Sequence, residues 1–211
     1  MANRFRLPSP GPYVVGMARL DLSDGRTLEY VVTGPPTGMP LVLHHGTPGA
    51  AVVYPPAVEA AARHGLRLVT YARPGCGRST AEPGRTVGDA AGDVAAILDT
   101  VGAEPFVTIG WSGGGPHALA CATTLAERCL GAALIGGVAP YGVPGLDWMV
   151  GMGKEKFNAA LAGEAALTEF LREAAAWLAT IKAADLAPAL GDLVPEQPRS
   201  GVDKEPIAAT G

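Results

Sequence analysis

Between residues 41 and 138, short apolar runs alternate with segments of helical length, and the runs end in loops rich in Gly and Pro. Few folds accommodate such an alternation. Parallel strands need crossover connections, and a parallel sheet must be covered on both faces. The predicted strands are Leu41–His45, Arg67–Tyr71, Phe106–Gly110 and Ala132–Val138. Between them, Pro56–His64 reads as a helix opened by prolines and stopped at Gly65. Val87, Ala91, Val94, Leu98 and Val101 recur at helical spacing before Gly102, and Gly114–Arg128 predicts a further helix. Upstream, Met17–Leu22 and Leu28–Thr33 flank Ser23-Asp24-Gly25 and predict a hairpin that adds an antiparallel edge. The predicted fold class is therefore α/β, a doubly wound and mostly parallel sheet.

After Pro140 the pattern changes. Leu167, Phe170, Leu171, Ala174, Trp177, Leu178 and Ile181 form one apolar helical stripe, and no further strand is predicted. The expected organisation is a core over residues 1–140, a helical segment over 141–194 and a polar, flexible tail over 195–211. With 211 residues the chain can bury one substantial core, and 48% apolar with 17% charged residues excludes wholesale disorder. A formal net charge of −4 offers no basic surface for nucleic acid. Met1–Pro12 holds two arginines and then prolines in place of an apolar run, so no signal peptide is expected. The longest apolar stretch, Leu130–Pro140, is far shorter than the ~20 residues of a membrane span. Three cysteines cannot all pair, and Cys121 and Cys129, eight apart on a predicted helix, would lie about 12 Å apart along its axis. Reduced thiols and no export signal predict a cytoplasmic protein.

The chemistry concentrates in two loops. Gly110-Trp111-Ser112-Gly113-Gly114 fits G-x-S-x-G between a predicted strand and a predicted helix, the context this pattern requires. Small residues must flank a serine in so tight a turn, and the helix N-terminus turns its unpaired N–H groups toward it. Ser112 is the candidate nucleophile. Acyl transfer also needs N–H donors aimed at the developing oxyanion. One comes from the residue after the nucleophile, here Gly113. The other comes from the loop His44-His45-Gly46-Thr47-Pro48-Gly49, with Thr47 as the candidate.

A third motif, Arg73-Pro74-Gly75-Cys76-Gly77-Arg78-Ser79, follows the next strand. His45-Gly46-x-Pro48, Arg73-x-Gly75-x-Gly77-x-Ser79 and Gly110-x-Ser112-x-Gly114, in this order, resemble the α/β-hydrolase family, in particular its small esterases, peptidases and related cofactor-free hydrolases. The resemblance covers about residues 15–185. It implies an eight-stranded sheet, a helical cap after the sixth strand, no cofactor or metal, and a small-molecule substrate. Tyr141–Val194 then resembles the cap, and His45 and Gly46 support the oxyanion loop.

The family order is Ser, then Asp or Glu, then His. His117 is the one histidine after Ser112, and five helical residues turn it about 140° away and about 7.5 Å along the axis. A base must come within about 2.6–3.2 Å, so His117 reads as a packed helix residue and His64 as a helix C-terminal partner. Asp147 follows the sixth predicted strand but reads better as a helix start, and Asp185 and Asp192 read as cap surface charges. The acid and base of the triad thus stay unassigned. The family's last two strands find no counterpart in the sequence, so the chain reads as a partial hydrolase. Gly151-Met152-Gly153-Lys154 lacks the earlier Gly and the following Ser or Thr of a phosphate loop, and no zinc-ligand spacing occurs. Two readings remain open. One is a serine hydrolase of an ester or related acyl bond. The other is an inactive or ligand-binding relative without a catalytic histidine.

Overall fold

A computed structural model describes residues 14–141, 143–144 and 154–182. It divides into two compact units, 1–138 and 139–211. In the first unit the strands are β1 (Val14–Asp21), β2 (Thr27–Thr33), β3 (Met39–His44), β4 (Leu66–Tyr71), β5 (Phe106–Trp111) and β6 (Cys129–Ile135). They form one sheet in the order β1-β2-β4-β3-β5-β6. The hairpin β1–β2 and the pair β2–β4 run antiparallel. The pairs β3–β4, β3–β5 and β5–β6 run parallel. Helices α1 (Pro55–Arg63), α2 (Ala90–Thr100) and α3 (Gly115–Thr124) supply the crossovers. The alternation of apolar runs and helices therefore gave the fold class and the antiparallel hairpin edge.

The main core lies between the sheet and helices α2 and α3. Leu28, Val42, Val69, Tyr71 and Phe106 meet Val94, Ile97, Leu98 and Cys121 there. Its rim is closed by charge. The buried Asp93 carboxylate accepts from Arg26 at 3.1 Å and from Arg85 at 3.3 Å, and Arg26 also reaches Glu82 at 3.0 Å. This network ties the hairpin turn to α2 and to the loop before it.

Several predicted boundaries move. α2 begins at Ala90, so Val87 lies before the helix, half exposed. The helix expected to run to Arg128 stops at Thr124, and β6 starts at Cys129. Arg128 and Cys129 both donate their N–H to Leu125 O, and the sharp turn brings Cys129 opposite Phe106. Cys121 and Cys129 therefore occupy a helix and a strand, not one helix, and both are free thiols. β6 ends at Ile135, three residues before the predicted Val138, because Gly136 takes a φ of 54°.

The second unit contains α4 (Lys154–Ala162) and α5 (Glu164–Leu178). Along and just past α5, Leu167, Phe170, Ala174 and Ile181 are partly buried. Leu171, Trp177 and Leu178 are exposed. Among the described residues of this unit, α4 packs on α5. No helix of the described residues is long and apolar enough to cross a membrane.

Candidate active site

β5 delivers Ser112 to the carboxyl end of the sheet. Ser112–Gly114 form a single 3-10 turn that leads directly into α3. Ser112 has a φ of 50°, the one left-handed residue other than glycine among those described. Such a conformation costs about 1–3 kcal/mol and persists only where its surroundings over-determine it. Here the surroundings are backbone. A side chain on Gly110 would meet Gly114 O and Gly115 Cα at 2.6 Å, and one on Gly114 would overlap His44 O. Glycine at both sites lets α3 start directly on the ends of β3 and β5.

The loop after β3 lies against this turn. A Cβ on Gly46 would stand 3.4 Å from Ser112 Cβ. A Cβ on Gly113 would stand 2.7 Å from Thr47 Oγ1 and 3.5 Å from Thr47 N. Thr47, Gly46, Ser112 and Gly113, each singled out from sequence, thus come together at one point.

The loop is held from β4. Arg73, just past the end of that strand, is 7% exposed. Its Nη1 donates to His45 O at 2.5 Å, and its Nη2 donates to Gly46 O at 3.1 Å and Thr47 Oγ1 at 3.2 Å. Its backbone N–H donates to His45 Nε2 at 3.4 Å. One guanidinium therefore binds three successive loop residues. No carboxylate pairs with it among the described residues, and burial lowers its pKa. The turn after Arg73 is fixed in its own way. Ser79 Oγ accepts from Glu29 N–H and donates to Ala72 O, while the buried Glu29 carboxylate accepts from Arg78 N–H. The sequence motif contained Arg73 but did not show where its charge goes. The available signal was a cation directly after an apolar strand.

The histidines are placed as follows. His45 Nδ1–H donates to Gly46 O at 2.7 Å while Nε2 accepts from Arg73, so both ring nitrogens are engaged within the loop. His117 donates from Nδ1 to Gly113 O at 3.0 Å, back onto its own helix start. His44 is fully buried, shares a 3.1 Å hydrogen bond with the Tyr71 hydroxyl and stacks on His117 at 6.3 Å. Burial, aided by the Arg73 charge, pushes His45 and His117 down to about 4. Burial and the neighbouring His117 and Arg73 push His44 down to about 3. All three are therefore neutral at pH 7. None of them hydrogen-bonds Ser112 Oγ among the described residues. His64 caps the C-terminus of α1. Asp147, Asp185 and Asp192 lie outside the described residues. No group of three metal-binding side chains occurs among those described.

In open α/β sheets, sites form at the carboxyl ends of the strands, where this serine turn and its facing loop stand. The chain belongs to the alpha/beta hydrolase fold family, whose sequence pattern matches residues 39–187. It is 34% identical to a non-heme chloroperoxidase of Streptomyces lividans over 59% of this chain and 46% of that protein. Among solved structures it resembles an esterase from Rhodococcus sp. ECU1013, with 31% identity and a TM-score of 0.50, covering 58% of this chain and 46% of that one. A thermophilic esterase from Thermogutta terrifontis matches with 25% identity and a TM-score of 0.54, over 69% of this chain and 51% of the other. The chain spans 36% to 46% of the length of the curated relatives it matches.

Proposed function

We propose that this chain carries the nucleophile and oxyanion side of a serine hydrolase acting on an ester or related acyl bond of a small molecule. The observation that carries the reading is the left-handed Ser112 at the strand-to-helix turn, with Gly113 and Thr47 beside it. In this reading Ser112 Oγ attacks the acyl carbon, and the carbonyl electron pair moves onto oxygen. The Gly113 and Thr47 N–H groups stabilise that charge, the alcohol leaves with a proton, and water then releases the acid from Ser112. His45 and Gly46 support the loop that presents Thr47. The esterases among the similar structures favour the ester as substrate class. Three free cysteines agree with a cytoplasmic location.

A second reading has its own support. His45 and His117 donate their Nδ1 protons to carbonyls, and neither hydrogen-bonds Ser112 Oγ among the described residues. Binding of an acyl compound at this turn without turnover fits that arrangement.

The deciding experiment assays the intact gene product on short p-nitrophenyl esters. The hydrolase reading predicts turnover that falls about 10⁶-fold in Ser112→Ala. Ester binding with no turnover, unchanged by Ser112→Ala, would establish the second reading instead.

A further inference from the structure

Arg73 donates to Thr47 Oγ1, which occupies a lone pair of that hydroxyl. The hydroxyl proton is still available, and no acceptor for it occurs among the described residues. Thr47 is exposed at the loop surface, and its Oγ1 stands over Gly113, 2.7 Å from the position a Cβ there would take. The Thr47 N lies on the same side of Gly113, 3.5 Å from that position. Thr47 Oγ1 and Thr47 N therefore both stand over Gly113, beside the serine turn. The donor behind the hydroxyl is a buried guanidinium that pairs with no carboxylate among the described residues. Hydrogen bonds with an ionised donor are roughly twice as strong as neutral ones, and they polarise the group that accepts them.

We propose that the Thr47 hydroxyl is a third donor to the oxyanion and that Arg73 is the positioning residue that orients and polarises it. This inference rests on the serine-hydrolase reading above. When Ser112 Oγ bonds to the acyl carbon, the carbonyl electron pair collects on oxygen. The Thr47 O–H then donates a hydrogen bond to that oxygen and keeps its proton throughout. Arg73 does not touch the substrate. It fixes the hydroxyl's lone pair and holds His45 O and Gly46 O, so the loop and the donor are set by one group on β4. The contribution grows as negative charge develops, so it belongs to kcat and not to ground-state binding.

The test compares wild type with Thr47→Val, Thr47→Ser, Arg73→Gln and the double variant Arg73→Gln/Thr47→Val, measuring kcat and KM on p-nitrophenyl acetate. Valine matches threonine in shape and keeps the backbone N–H, and circular dichroism checks that the fold survives loss of this Arg73 acceptor. The expected result is a fall in kcat of about a hundredfold in Thr47→Val with KM unchanged, restored by Thr47→Ser. Thr47→Val should cost much less in the Arg73→Gln background, because the hydroxyl acts through Arg73. A Thr47→Val enzyme with wild-type kcat, or a loss that serine does not restore, overturns the inference while leaving the hydrolase reading intact. Equal loss in both backgrounds removes the role of Arg73. A wild type without Ser112-dependent turnover defeats the hydrolase reading, and this inference with it.

Discussion

β4 and β6 are both short and apolar, yet the chain treats them in opposite ways. β4 lies between β2 and β3, and Leu68, Val69, Thr70 and Tyr71 are all buried. Among the described residues β6 pairs with β5 alone, and every residue from Leu130 to Ile135 is exposed. For β4, the place between two strands accounts for the burial of its apolar run. The candidate site draws unequally on these regions. The Thr47 loop and its Arg73 clamp leave the ends of β3 and β4, deep in the sheet. The serine leaves β5, which lies between β3 and β6.

The comparison would break if the interior side proved easy to perturb. Asp93→Ala should destabilise most, by about 3–5 kcal/mol, since it leaves Arg26 and Arg85 facing a buried space without their carboxylate. Urea unfolding followed by circular dichroism would measure it. The same leucine-to-alanine change then separates the two strands. Leu68→Ala, at a site 3% exposed, should cost about 2–5 kcal/mol. Leu134→Ala, at a site 47% exposed, should stay within about 0.5 kcal/mol. Equal costs would mean that β6 is covered in solution.

Acid should sharpen the contrast. His44 is held at about 3, and His45 and His117 at about 4, against an ordinary 6.5. Between these values the unfolded chain binds protons that the folded chain refuses. Stability is therefore fully present above pH 6.5 and is lost as pH falls toward 4. Comparing urea midpoints at pH 7 and pH 5 should show the loss, and His117→Gln should make it smaller. A midpoint independent of pH would contradict the burial of these rings.

Sequence alone carried the alternation, the hairpin and the meeting of two loops, because each rests on local spacing and turn chemistry. Ser112 and Gly113 were legible from the glycines that a tight strand-to-helix turn demands. Thr47 and Gly46 were legible from their place after an apolar strand. Arg73 was visible as a motif residue but not as a clamp, because its partners lie 26 to 28 positions upstream. The early end of α3 was missed because Leu125 to Arg128 keep a helical composition. There, strand pairing of Cys129 with Phe106 overrides local preference. Leu171 and Trp177 belong to the apolar stripe and are exposed, since such a stripe states what could be covered and not what covers it.

The central claim is that Ser112 is the nucleophile at this site. Treating the intact gene product with a fluorophosphonate and mapping the modified peptide by mass spectrometry tests it most directly. The account predicts one phosphonyl group, on Ser112, and no modification in Ser112→Ala. Modification of another residue, or equal modification of Ser112→Ala, would contradict it.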